Sequence, residues 1–116
     1  MPQLPNRLLP QRKRLALSQA EVAFLMGTHG GAGISRYEQF TQRPSLETAL
    51  ALELILQKPA RELFVDLYRE IEERVAARAK VLMYKTDRGK PGRQTARKRE
   101  ALANIISQQP NNLNQE

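Results

Sequence analysis

The stretch LSQAEVAFLMGTHGGAGISRYE, residues 17–38, decides the reading of this chain. Ser18-Gln19-Ala20-Glu21 matches a capping box, in which Ser18 is the N-cap and Glu21, at the third helical position, reaches back to the Ser18 amide. The helix so started carries Val22, Ala23 and Met26 on one side. Gly27 stops it, because glycine accepts the left-handed conformation in which helices commonly end. A glycine-rich joint, Thr28 to Gly33, comes next. In Ile34-Ser35-Arg36-Tyr37-Glu38-Gln39-Phe40 the apolar residues Ile34, Tyr37 and Phe40 stand at helical spacing, which predicts a short second helix after a tight turn.

Working outward, residues 7–15 suit a helix, but Pro10 lacks an amide proton and clashes with a helix interior, so the start is predicted at Pro10 or Gln11. Pro44-Ser45 punctuates the other side. Ser45 is the N-cap of a helix to about Gln57 carrying Leu46, Ala49, Leu50, Leu52, Ile55 and Leu56; being apolar nearly all round, it is predicted to be the most buried element. Lys58-Pro59 breaks it, and Pro59 suits the first turn of a further helix. There Phe64, Leu67, Tyr68, Ile71, Val75, Ala79 and Leu82 trace one stripe as far as Tyr84. Lys85 to Gly92 reads as a linker, Gln94 to Ser107 as a last helix, and the tail QQPNNLNQE as disordered.

A length of 116 residues fits one domain. Apolar residues make up 41% of the chain and aromatics only 5%, with no Trp, so the core falls to Leu, Ile, Val and Ala, which favours helices. The absence of cysteine excludes disulfides, iron–sulfur clusters and thiolate zinc sites. One histidine, His29, offers no metal cluster and a single imidazole base, so neither a metal, a cofactor nor catalysis is expected. The glycines of GTHGGAG lack the Gly-Lys-Ser/Thr of a phosphate-binding loop, and Arg36 stands where a dinucleotide motif needs its third glycine. Glu62, Asp66, Glu70, Glu72 and Glu73 interleave with Arg61, Arg69 and Arg74 as on a solvated helix face.

The net charge is +7 and the pI near 10.3, which suits a polyanionic partner. The charge sits at the ends: residues 1–44 carry +4, residues 45–84 carry −1 and residues 85–116 carry +4. An ordinary solvated surface is the alternative reading of such ends. No apolar run approaches the roughly 20 residues that span a bilayer. The N-terminal MPQLPNRLLPQRKR, with three prolines, has no signal-peptide stretch, so a soluble cytoplasmic setting is expected.

Helix, glycine turn, short second helix and apolar third helix is the layout of a helix-turn-helix DNA reader, whose second helix enters the major groove. LSQAEVAFLMG (17–27), ISRYE (34–38), RPSLETALALELI (43–55) and RELF (61–64) together resemble the Cro and phage-repressor type, or xenobiotic-response-element (XRE) family, of helix-turn-helix regulators. The resemblance covers residues 6–64. It implies an all-α, five-helix, lambda-repressor-like domain, here followed by a basic helical C-terminal extension. Two departures stand out. Six residues separate Gly27 from Ile34 where the family turn has five, which leaves the start of the recognition helix open; and Gln11, preceded by Pro10, falls where an apolar residue is common, which implies a shifted or shortened first helix.

The family's roles carry over by position. Gln19 resembles the glutamine that binds a backbone phosphate, at a helix N-terminus whose free N–H groups favour an anion. Ile34 and Tyr37 match core positions. Ser35 and Arg36 lie opposite them, resembling base-contacting positions; Arg can donate two hydrogen bonds to guanine, although a phosphate or Glu38 competes for it. His29 to Ala32 stand at the mouth of that helix, so His29 and Ala32 complete the expected base-contacting set. Gln39, Thr41, Gln42 and Arg43 resemble positions that clamp phosphates, and Arg12, Lys13 and Arg14, just before the helix pair, are expected on phosphates as well.

The expected organisation is a DNA-binding domain over 1–64, an extended helix over 65–84, and a basic linker, short helix and polar tail over 85–116. The expected function is sequence-specific binding of double-stranded DNA in transcription regulation. One reader covers few base pairs, so a homodimer on a two-fold operator is expected, its recognition helices about 34 Å apart. The stripe Leu67, Tyr68, Ile71, Val75 is the expected dimer surface, packing back onto the domain being the alternative. Lys85 to Arg99, with seven cations and one anion and with glycines and a proline that keep Lys85 to Gly92 flexible, reads as an arm for phosphates or a minor groove, a solubilising tail being the alternative. Two rivals remain: an antitoxin whose residues 85–116 bind a protein toxin, and an adaptor or RNA-binding module.

Overall fold

A computed structural model describes residues 4–28, 30–89 and 92–108; His29, part of the expected linker and most of the expected tail lie outside the described residues. Within them every regular element is helical: α1 (Leu8–Arg14), α2 (Gln19–Met26), α3 (Ala32–Glu38), α4 (Leu46–Leu56), α5 (Ala60–Leu63), α6 (Val65–Asp87) and α7 (Arg93–Ser107). Residues 1–68 and 69–116 form two compact units, with the division inside α6.

In the first unit α1 starts at Leu8, ahead of the Pro10 or Gln11 expected. Pro10 thereby sits in the first turn, where an amide proton has no partner within the helix, and the first i to i−4 bond runs from Gln11 N to Arg7 O. The entry is held from both sides: Leu8 N donates to Asn6 Oδ1 at 3.0 Å, Asn6 Nδ2 to Tyr37 O at 2.9 Å, and Arg7 N to Leu63 O at 2.8 Å. The capping box of α2 is formed, with Glu21 N donating to Ser18 Oγ and Ser18 N to Glu21 Oε1, and Gly27 closes the helix at φ +81°. Such a cap is worth about 1 kcal/mol.

Ser45 caps α4 as expected, through Thr48 N. The helix is not the most buried element, however. Only Leu52 and Leu56 are buried, while Leu46, Leu50 and Leu54 are 75%, 50% and 80% exposed, because these three lie four residues apart on a side that nothing covers. The single helix expected after Pro59 is two. Pro59 is the N-cap of α5, whose first amide, Ala60 N, donates to Glu53 Oε1 at 2.8 Å, and Phe64 at φ −117° and ψ 50° separates α5 from α6. Leu8, Val22, Ala23, Ile34, Leu52, Leu56 and Leu63 form the core, with Leu15, Leu17, Met26, Tyr37, Ile55 and Phe64 against it. Each large aliphatic side chain so buried contributes about 1.5–3 kcal/mol.

In the second unit α6 continues three residues beyond Tyr84, so Lys85, Thr86 and Asp87 are helical rather than linker. Arg88 follows, its Nη1 donating to Tyr84 Oη at 2.9 Å with the guanidinium 5.6 Å from the ring centroid. α7 lies against α6: Leu102, Ala76 and Ala79 are buried, and Arg99 Nε pairs with Asp87 Oδ1 at 2.8 Å. Of the segment expected to be flexible, Lys85 to Gly92, three residues are thus helical, and the last helix expected over Gln94 to Ser107 forms as α7, with Leu102, Ile105 and Ile106 giving it an apolar side.

Candidate nucleic-acid interface

The turn between α2 and α3 decides where the second helix begins. Thr28 closes α2 with two bonds to Ala23 O, from its N at 2.9 Å and its Oγ1 at 3.1 Å. Gly31 then caps α3. A Cβ on Gly31 would stand 2.8 Å from Gln19 Cβ and 3.2 Å from Gln19 C, so only glycine lets the start of α3 come this close to the start of α2. The helix opens at Ala32, which closes the question left by the extra residue in the turn.

Seven residues of α3 divide by angle. Ile34 and Glu38 are buried and Tyr37 packs on the core, whereas Ala32, Arg36 and, at the C-cap, Gln39 are exposed, with Ser35 half-buried between them. Glu38 is the one buried charged side chain among the described residues. It accepts from Arg12 Nε at 2.5 Å, from Arg12 Nη2 at 3.0 Å and from Gln19 Nε2 at 3.0 Å, while Arg12 Nη1 donates to Leu17 O at 2.9 Å. One carboxylate thus ties α1, α2 and α3 together by charge-assisted bonds. The hydrogen bond to Glu38 raises the Arg12 pKa above its ordinary value; burial opposes this and the opposite charge of Glu38 supports it.

This network corrects one expectation. Arg12 is not available to a phosphate, since its fork is held by Glu38 and Leu17 O within a largely covered site. Thr41 is exposed, and its N and its Oγ1 both donate to Arg36 O, at 3.0 and 3.1 Å. Gln19 stands at the first turn of α2 as expected, with one amide proton already on Glu38. Glu38, weighed only as a rival partner for Arg36, faces away from it.

The remaining candidates lie at the surface. Arg36 is exposed, and no hydrogen bond or ion pair among the described residues engages its guanidinium. Lys13 and Arg14 are exposed in the last turn of α1, and Gln39, Gln42 and Arg43 are exposed after α3. His29 lies outside the described residues. In the expected dimer stripe Leu67 is half-buried, and Tyr68, Ile71 and Val75 are exposed. Among the described residues no group of three His, Cys, Asp or Glu could hold a metal ion, and no helix is long and apolar enough to cross a membrane.

Sequence reasoning missed three structural polar groups. Gln11 Nε2 donates to Leu56 O at 2.8 Å and so closes the end of α4. Asn6 joins α1 to α3, and Glu53 caps α5. For Gln11 a signal existed: a polar residue at an apolar position needs a partner once buried.

A protruding helix side with one free guanidinium and small neighbours, flanked by exposed cations, can enter a groove and donate to base edges and phosphates. The helix-turn-helix family model matches residues 11–63, from the middle of α1 to the end of α5. No curated protein and no solved structure matches the chain.

Proposed function

We propose that the chain, whose residues 11–63 match the helix-turn-helix family model, is a DNA-binding regulator of the Cro and phage-repressor type that reads a specific two-fold operator as a homodimer and acts by binding alone. The observation that carries this reading is the division of α3. Its inner side is wired to α1 and α2 through Glu38, and its outer side leaves Arg36 unengaged beside Ala32, Ser35 and Gln39. Arg36 donates to a base edge, and Ser35, Ala32 and His29 complete the base-contacting set. Lys13, Arg14, Gln39, Gln42 and Arg43 meet phosphates, and Gln19 does so with its remaining amide proton and the N-terminus of α2.

Selection of bound sequences from random duplexes, followed by affinity measured against salt, tests the reading. A defined sequence with two related half-sites is expected. Log affinity should fall with log salt by roughly 0.9 for each neutralised phosphate. Equal binding to every duplex, or a flat slope, rejects it.

A further inference from the structure

Among the described residues of 69–108 only Ala76, Ala79 and Leu102 are buried, and two of these contribute a single methyl group. Two helices with so little apolar burial do not offset the entropy of ordering them. Beside the buried line runs a groove of about 440 Å³ lined by Val75, Ala79, Leu82, Leu102 and Ile105, with Arg78 and Lys85 at its edge. Val75, Leu82 and Ile105 are 44%, 45% and 37% exposed, and Ile71, one turn before Val75, extends the same line.

Charge along α6 selects what fits there. Residues 66–73 hold Asp66, Glu70, Glu72 and Glu73 against Arg69, a net −3. Residues 74–87 hold Arg74, Arg78, Lys80 and Lys85 against Asp87, a net +3. A helix polarised in this way attracts a second copy lying antiparallel and repels one lying parallel. Glu70 and Lys85 are equally far from the midpoint between residues 77 and 78. An antiparallel pair centred there sets Lys85 of each copy against Glu70 of the other, whereas a parallel pair sets Lys85 on Lys85 and Glu70 on Glu70.

We propose that the groove between α6 and α7 is the self-association surface of this chain, filled by the same groove of a second copy with the two α6 helices antiparallel. The proposal rests on the dimer in the proposed function and moves its centre from the start of α6 to the hairpin, giving the C-terminal extension a role in assembly. The contact is isologous, so each copy gives and receives the same groups.

Sedimentation of the full chain without DNA tests it. A dimer is expected, and Val75→Asp should raise its dissociation constant at least about tenfold by placing a charge in an apolar contact. Because that variant could disturb the hairpin itself, charge exchange supplies a second measurement. Lys85→Glu and Glu70→Lys should each weaken the dimer about three- to tenfold at low salt, and the double variant should restore it. Since the chain has no cysteine, Arg78→Cys should cross-link to itself and Lys85→Cys should not. A chain that stays monomeric, a dimer tightened by Lys85→Glu alone, a dimer indifferent to all these variants, or self-linking at Lys85→Cys overturns the proposal. A dimer that obeys it and yet binds every duplex equally rejects the proposed function instead.

Discussion

Removing one partner of the Arg12–Glu38 pair is expected to cost far more than removing both. Their side chains are 12% and 4% exposed, so either group left alone is a charge withdrawn from water with no counter-ion. That situation typically costs about 3–5 kcal/mol, roughly a fifth or more of the stability of a small domain at roughly 5–15 kcal/mol. For a unit of this size about 1 kcal/mol moves the melting temperature by roughly 4–8 °C, so Arg12→Met and Glu38→Leu should each lower it by about 15 °C or more. Arg12→Met/Glu38→Leu places two apolar side chains of similar bulk in the same site and should recover most of the loss, Gln19 then turning to water. Urea and thermal denaturation of the four proteins followed by circular dichroism gives the coupling directly. Single variants costing under about 1 kcal/mol, or a double variant costing the sum of both, would refute the claim that this pair holds α1, α2 and α3 in register.

Other outcomes follow from particular atoms. Arg36→Ala should weaken operator binding by about 1–3 kcal/mol and leave non-specific binding nearly unchanged; equal losses in titrations of operator and random duplex would make Arg36 a phosphate contact. Lys13→Ala and Arg14→Ala should each make the salt slope shallower by about 0.9 while affecting all duplexes alike. Gly31→Ala meets the Gln19 side chain and backbone and should destabilise by about 1–3 kcal/mol, whereas Gly33→Ala, helical with nothing within 4 Å of the added Cβ, should stabilise by about 0.5–1 kcal/mol; a denaturation midpoint that rises for the first or falls for the second contradicts that prediction. Truncation after Tyr84 strips α7 from Ala76 and Ala79 and should abolish the dimer and reduce helicity beyond the residues removed, to be checked by sedimentation and circular dichroism.

What was legible in the chain was local. Ser18, Glu21, Gly27 and Ser45 act within four residues of themselves, so caps and stops follow from spacing alone, and the order of helices follows from the caps. Pro10 misled because the rule against proline in helices applies to interiors, and only the bonds of Asn6 and Arg7 show that the helix opens early enough to spare it. Arg12 and Gln11 could not be assigned from spacing, since their partners lie 26 and 45 residues away. The leucines of α4 show the same limit. Composition marks the helix as apolar, but which leucines are covered depends on the directions from which α1, α2 and α5 arrive. At the candidate interface the outer positions of α3 were legible from periodicity, whereas the withdrawal of Arg12 into an internal pair was visible only once its acceptors were in place.

The angular division of α3 has a consequence for how such a protein can diverge. Fold and proposed recognition occupy opposite sides of one two-turn helix, and Glu38 and the buried Ile34 tie the inner side to both neighbouring helices. Ala32, Ser35, Arg36 and Gln39 carry little of the folding free energy, so new residues can be tried there without first acquiring stability elsewhere. Target preference and foldability are thereby separable traits, and a duplicated copy could drift to a new site through a handful of surface exchanges while its scaffold stays intact.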